Sequence, residues 1–241
     1  MIYIQNDNKD AAFHFSVEEL FTRYLRIDEP VLMIWQTGKT VMLGNNQIAS
    51  AEVDINLANI SDIPVIRRSS GGGAIYTDPG TVLYTMIEPV TKEPQIHREE
   101  LSLKIIGSLA VMGVSAVREG RNDILIEGKK ISGFAQYTSG KHICTHGSLL
   151  FDTDLDMLAG ILLPQPEKLL PKGIASIRSR VTNIRPYLQN DCSVDEFVVM
   201  LKNEFIIDNN FSFYKLNNDD IKRINEIGLE KYSNNAWNFR M

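Results

Sequence analysis

Three consecutive glycines, Gly71, Gly72 and Gly73, stand within RRSSGGGAIY (residues 67–76), shortly after residues 64–68 (PVIRR), which read as a strand. Glycine lets the backbone approach a neighbour with no Cβ in the way, so the strand must end in a tight loop rather than continue into a helix or hairpin. The signals on either side follow no strict strand–helix alternation. Apolar residues at helical spacing mark residues 10–27 (Phe15, Leu20, Phe21, Leu25) and 97–112 (Leu101, Ile105, Leu109, Met112). Strands are expected at 31–35, 40–43 and 82–87, with Gly38-Lys39 turning the first into the second. Three more are expected at 123–126, 130–137 and 143–151, with Gly128-Lys129 as a tight hairpin between the first two. Helices are expected near 154–162, 193–206 and 218–231, and the Pro-rich stretch 164–171 reads as a loop. Strands in meanders and helices in separate blocks predict an α+β fold: a central mixed, mostly antiparallel β-sheet flanked by helices.

The charge balance narrows the function. A formal net charge of −5 over 241 residues excludes a globally basic phosphate-backbone binder, so no nucleic acid is expected as a partner. No apolar window approaches the 18 or more residues of a membrane span, and the first ten residues lack a signal peptide's basic and apolar regions, so no membrane is expected either. Two cysteines, Cys144 and Cys192, define no disulfide framework and point to the reducing cytoplasm.

Four segments have chemistry to offer. In residues 67–76 the glycine amides can form an anion nest, and the paired arginines add a bidentate grip on phosphate or carboxylate; the alternative is a flexible turn after an edge strand. The loop matches neither GxxxxGK[ST] nor GxGxxG. In GRNDILIEGKKISGFAQ (residues 120–136), Lys130 opens a strand and Gly133 clears space beside it, presenting a compact cation to a cleft; the alternative is two solvated turn lysines. In HICTHGSLLF (residues 142–151), His142, Cys144 and His146 share one strand face. Three ligands on one strand suit tetrahedral zinc poorly, so no metal is expected there, and a polar cleft lining is favoured. RVTNI (residues 180–184) is a polar loop or strand end.

In order and spacing these segments resemble the lipoate–protein ligases, which share a catalytic fold with biotin ligases and octanoyltransferases. That family's RRxSGGGAVxHD, NDI/NDL, KxSGxAQ, HGTLL and SVTN motifs correspond here to RRSSGGGAIYTD, NDI, KKISGFAQ, HGSLL and RVTNI, and NAWNF (residues 235–239) resembles the close of its catalytic domain. The resemblance implies one catalytic domain over residues 1–241, with the family's C-terminal accessory domain absent from this chain. It implies ATP-dependent activation of lipoic acid to lipoyl-AMP and transfer to a lysine of lipoyl domains of 2-oxoacid dehydrogenase complexes and of the glycine-cleavage carrier protein. ATP, with Mg2+ accompanying the nucleotide, and lipoate are the small molecules expected.

By the same resemblance Arg68, Gly71, Gly72, Gly73, Ala74, Ile75 and Tyr76 contact ATP and lipoyl-AMP, with Asn122 and Asp123 beside the nucleotide. Lys130 is the catalytic cation, touching acyl carboxyl and phosphate, and Gly133 and His146 join it on lipoate. The chain departs from the family pattern at residues 77–81 (TDPGT), at Phe134 and at Thr145. Two other readings stay open: a cysteine-dependent acyltransferase without ATP, although Ser115 stands where one branch has its cysteine, and a non-catalytic lipoate binder. The GRGR-type loop of biotin ligases is not present.

Overall fold

A computed structural model describes residues 1–25, 27–163, 177–206 and 211–240; the Pro-rich stretch 164–171, expected as a loop, lies outside them. Its strands are β1 (Ile2–Ile4), β2 (Val31–Trp35), β3 (Thr40–Leu43), β4 (Val65–Arg67), β5 (Ile75–Thr77), β6 (Thr81–Pro89), β7 (Val117–Glu119), β8 (Asp123–Ile126), β9 (Lys129–Ser139), β10 (His142–Leu150) and β11 (Ser212–Tyr214). Among the helices are α1 (Ala11–Glu19), α2 (Ala49–Glu52), α3 (Ile55–Ile60), α4 (Pro94–Val111), α5 (Leu155–Ile161), α6 (Ile177–Arg180), α7 (Val194–Ile206), α8 (Asn218–Ile227) and α9 (Asn235–Asn238). Single π-helical turns, Leu20–Tyr24 and Gly228–Tyr232, extend α1 and α8.

Eight strands form one sheet in the order β11-β1-β2-β6-β10-β9-β8-β7. Only β1 pairs in parallel, with β11 and β2; all other ladders are antiparallel. This is the expected mixed, mostly antiparallel α+β architecture. The spine is β10, paired along its length with β6 on one side and β9 on the other. Successive side chains alternate faces, and β6 shows how that divides the interior. Val82, Tyr84 and Met86 enter one cluster with Leu101, Ile105 and Leu109 of α4 and Phe197, Leu201 and Phe205 of α7. Leu83 and Ile87 enter a second with Phe15 of α1 and Ile224 and Ile227 of α8. Both faces are covered by helices, which is why β2 reads as an unbroken apolar run.

Two expectations are corrected. Residues 31–35 and 40–43 do not form a hairpin. Both edges of β2 are taken, by β1 and β6, so the chain leaves the main sheet at Gly38-Lys39 and β3 starts a second, three-stranded sheet in the order β4-β3-β5. The sheet is therefore not single, and the small one packs through Val41, Val65 and Tyr76 on Leu155, Leu158 and Ile161 of α5. The 127–128 turn is the expected tight hairpin, with Glu127 (φ 50°) and Gly128 (φ 74°) both left-handed, as its twist requires. The short strands β1, β5, β7 and β11 carry three residues each, too few for a periodic signal.

His14 in α1 is fully buried, its ring stacked on Trp35 at 4.2 Å, and Nε2–H donates to the Asn8 carbonyl at 2.9 Å. Burial pushes its pKa down to about 4. The folded state therefore holds a neutral ring while the unfolded chain takes up a proton below about 6.5, so stability is lost as pH falls from about 6.5 towards 4. Urea unfolding of the parent should lose about 3 kcal/mol more than His14→Phe across that window; equal losses in the two proteins would show that the ring stays protonated inside.

Candidate active site

A cavity of about 310 Å³ opens between the two sheets. Its apolar lining includes Phe15, Trp35, Met42 and Leu83; its polar lining is Arg68, Asn122, Asp123 and Lys130, beside Gly72 and Gly73. Ala74, Ile75, Gly133, Phe134, Ala135, His146 and Gly147 complete the lining, so most residues singled out in the sequence converge here. Gly71 and Tyr76 do not line it. The Tyr76 ring packs in the core of the small sheet, 1% exposed, because β5 turns it towards Val41.

Lys130 reaches the cavity because of a β-bulge. In the β8–β9 ladder Leu125 faces Lys130 while Ile124 faces Ser132, which leaves Ile131 as the extra residue. A bulge re-aims the side chains that flank it, and here it brings Lys130 to the side of Gly133, two pairings along. A Cβ at Gly133 would lie 2.7 Å from Lys130 Nζ, so any larger residue would push the ammonium from its place. Lys130 pairs with Asp123 at 2.8 Å, both side chains about two-fifths exposed, so the ion pair is solvated and readily exchanged for another anion. The RVTNI segment runs alongside: Thr182 N–H donates to the Lys130 carbonyl at 3.1 Å. Beside the pair, Asn122 Oδ1 is buried without a hydrogen-bond partner, an acceptor turned to a site that a ligand donor would satisfy.

The paired arginines behave differently from the expected anion grip. Arg68 is buried, and four of its five N–H donors go to the protein: Nε to Ser70 Oγ (3.0 Å), Nη1 to the Met42 carbonyl (3.0 Å), and Nη2 to the carbonyls of Gly71 and Gly73 (both 2.8 Å). The glycine loop is wrapped around this guanidinium, with Gly72 at φ 93°, a conformation that only glycine adopts cheaply. Burial lowers the Arg68 pKa to about 10, opposed by the attraction of Glu18, so it stays charged at neutral pH. Arg67 makes no approach to the cavity; its donors go to backbone carbonyls of residues 44–47 and 237–240.

Ser70 Oγ stands 2.6 Å from His146 Nε2, and His146 Nδ1 lies 2.9 Å from both oxygens of Glu18. Glu18 also accepts from Thr85 Oγ1 at 2.7 Å, which in turn accepts from Trp35 Nε1 at 3.0 Å. One proton arrangement satisfies every pair. Arg68 donates to Ser70, Ser70 to Nε2, and Nδ1–H to the carboxylate. A buried carboxylate needs such partners, and Glu18 obtains them from Thr85 and from His146, which itself lines the cavity. Cys144 completes a group with Glu18 and His146 whose ligand atoms lie within 4.8 Å of one another, while His142 instead faces the carbonyls of Thr22 and Ile27. Burial and the Glu18 charge push the Cys144 thiol well up, so it is protonated and a poor nucleophile.

Glu18, Ser70, Trp35 and Phe15 were not legible as site residues. Trp35 and Phe15 carry the same pattern as any core residue, and nothing in the spacing of Glu18 separates a buried network carboxylate from a solvated one. Gly147, flanking His146, has a readable reason: a Cβ there would meet Tyr84 Oη at 2.3 Å and the Gly133 carbonyl at 2.9 Å. Gly147→Ala should therefore cost about 2 kcal/mol of stability, whereas Gly133→Ala, meeting only the flexible end of Lys130, should cost under about 1 kcal/mol. Thermal melts check the order, and equal costs would contradict the packing described.

The comparisons with known proteins converge. Residues 10–206 match the model of the lipoyl protein ligase A/B catalytic domain. Lipoate-protein ligase LplJ of Bacillus subtilis is 33% identical, covering 99% of this chain and 73% of that protein. Probable lipoate-protein ligase A of Mycoplasma pneumoniae is 35% identical, covering 98% and 71%. Among solved structures, a bi-partite lipoate protein ligase from Thermoplasma acidophilum, described with its E2 lipoyl domain, superimposes with a TM-score of 0.87 at 26% identity, covering 98% of this chain and 95% of that one. A lipoate-protein ligase A bound with ATP superimposes at 0.86 with 23% identity, covering 98% and 97%, a likeness of fold.

Proposed function

The chain belongs to the lipoyl protein ligase A/B catalytic-domain family, and from that premise we propose that its cavity joins lipoic acid to ATP and hands the acyl group to a lysine of a partner domain. The observation that carries this reading is the mixed lining of one cavity, which holds Phe15, Trp35, Met42 and Leu83 together with Lys130 and the glycine loop. Lipoate is mixed in the same way, with a ring and alkyl tail at one end and a carboxylate at the other. The tail lies along Phe15, Trp35, Met42 and Leu83, and the carboxylate reaches Lys130.

In the first step a carboxylate oxygen attacks the α-phosphorus of ATP, the bond to the bridging oxygen breaks, and pyrophosphate leaves. Two anions must meet, and the barrier is largely repulsion and orientation. Lys130 exchanges Asp123 for these anions, while the glycine loop, backed by the buried Arg68 charge, faces the phosphates. Asn122 Oδ1 accepts from the nucleotide. Among the described residues Asp123 is the one carboxylate lining the cavity; it would hold a magnesium ion brought with the nucleotide, and the ion would supply charge neutralisation for the departing pyrophosphate. In the second step the acceptor amine attacks the acyl carbonyl, AMP leaves with the acyl C–O electron pair, and Lys130 steadies the carbonyl oxygen.

The acceptors are lipoyl domains of 2-oxoacid dehydrogenase complexes and the glycine-cleavage carrier protein, and the reaction takes place in the cytoplasm. Among the described residues no helix is long and apolar enough to cross a membrane. The cysteine-dependent transferase reading is disfavoured. Cys144 is buried and protonated, and Cys192, with its thiol also raised by burial, lies away from the cavity beside Asp191 and Glu196.

The test is incubation with ATP, lipoate and an apo lipoyl domain, read by intact mass of the acceptor. The parent should add one lipoyl group. Lys130→Ala should cut adenylation, followed as ATP–pyrophosphate exchange, by about a hundredfold or more with the melting temperature unchanged. Unaltered exchange in that variant removes Lys130 from the mechanism. Cys144→Ser should retain ligation, and a trapped thioester in the parent would restore the transferase reading.

A further inference from the structure

Arg67 is 1% exposed, and among the described residues no carboxylate lies at hydrogen-bond distance from it. Its charge is solvated by six backbone carbonyls drawn from two separate segments. Nη1 donates to Gly44 (3.0 Å), Asn45 (3.2 Å) and Gln47 (2.6 Å). Nε and Nη2 donate to Trp237 (3.0 Å), Asn238 (2.9 Å) and Arg240 (3.1 Å). The three last carbonyls are at the C-terminal end of α9, whose unpaired carbonyls favour a cation.

The same junction is closed by side chains. The backbone N–H of Arg67 donates to Asn238 Oδ1 (2.8 Å), and Trp237 Nε1 donates to the Arg67 carbonyl (2.8 Å). Arg240 lies 3.9 Å over the Trp237 ring and donates to Asn45 Oδ1 at 2.6 Å. Two residues further on, Ser69 Oγ is joined to Tyr232 and Lys231 of the second π turn, and both of these donate to Glu19 of α1.

The 44–47 turn that Arg67 holds is the support of the glycine loop. Asn45 N–H donates to the Ser70 carbonyl at 2.8 Å, and Gly44 lies so close beneath Gly72 that a Cβ would meet the Gly72 carbonyl at 2.0 Å. A continuous path thus runs from residues 237–240 through Arg67 and the 44–47 turn to Gly72 and Gly73 at the cavity wall. Phe15, Trp35 and Leu83 on the acyl side take none of these hydrogen bonds and meet the path only through ring packing, Tyr232 standing 5.6 Å from the Phe15 ring and 6.4 Å from that of Trp237.

We propose that Arg67 is a positioning residue: it fastens the 237–240 segment to the 44–47 turn, and the hydrogen bonds of this clamp set the glycine loop on the nucleotide side of the cavity rather than the acyl side. The nucleotide assignment rests on the function proposed above; the mechanical part does not. Two readouts separate them, applied to Asn238→Ala and Arg240→Ala, which keep the carbonyls facing Arg67 but remove the side-chain bonds that close the junction to the Arg67 N–H and to Asn45, and to Arg67→Lys, which keeps the charge and loses the planar fork. Hydrogen exchange should speed up in peptides covering residues 43–47 and 69–75 and stay as in the parent over residues 129–139. In ATP–pyrophosphate exchange the KM for ATP should rise about tenfold, the loss of one charge-assisted hydrogen bond, with lipoate affinity by calorimetry within about twofold of the parent. Unchanged exchange at residues 69–75, or acceleration spread over the whole sheet, overturns the clamp, as does a parallel loss of ATP and lipoate affinity. Should Arg67→Lys not fold, the two distal variants carry the same comparison. A parent that exchanges no pyrophosphate defeats the assigned function, and the hydrogen-exchange comparison still decides the clamp.

Discussion

A guanidinium removed from water must be resolvated by the protein, and the site of this molecule is arranged around two that are resolvated by carbonyl oxygens. Arg68 collects the carbonyls of Met42, Gly71 and Gly73, and Arg67 those of residues 44–47 and 237–240. Each charge therefore dictates the path of the chain around it. The glycine run is flexible in isolation, yet here it has one course, because any other would leave Arg68 buried and unpaired.

That arrangement changes what the arginine pair contributes to the site. A surface arginine grips an anion directly. Arg68 instead spends most of its donors on the loop that faces the ligand and reaches the cavity chiefly as fixed charge. Direct contact falls to Lys130, whose two-fifths exposed ammonium, balanced by Asp123, can change partners. The structure so divides labour between a buried charge that shapes and a half-exposed one that reacts. The Glu18–His146–Ser70 chain ties the two halves together, since it joins α1, β10 and the loop through one set of hydrogen bonds.

Much of this was readable in the residues. The apolar periods of 97–112 and 218–231, the meander through 123–151, and the order of RRSSGGG, NDI, KKISG and HGSLL located the helices, the sheet and the cavity's polar lining. Gly133 was readable as space beside Lys130, and a built Cβ shows why. The rest failed for specific reasons. The 31–35 and 40–43 runs have the composition of hairpin partners, but pairing depends on which edges are free, and β1, from the far N-terminus, takes the edge that a hairpin would need. Tyr76 continues a binding motif in sequence and alternates into the core in space.

Local chemistry set the positions where only glycine fits, the cation at residue 130 and the faces that must be buried, because these follow from φ preferences, charge and period along a short stretch of chain. Folding in three dimensions chose the partners: which strand lies beside β2, which carbonyls surround Arg67, and that a glutamate of α1 meets a histidine of β10. Those choices join residues up to 173 positions apart, as in the Arg67–Arg240 bond. No local pattern encodes them, because a buried charge or an open strand edge is satisfied by whichever group the whole chain delivers to it.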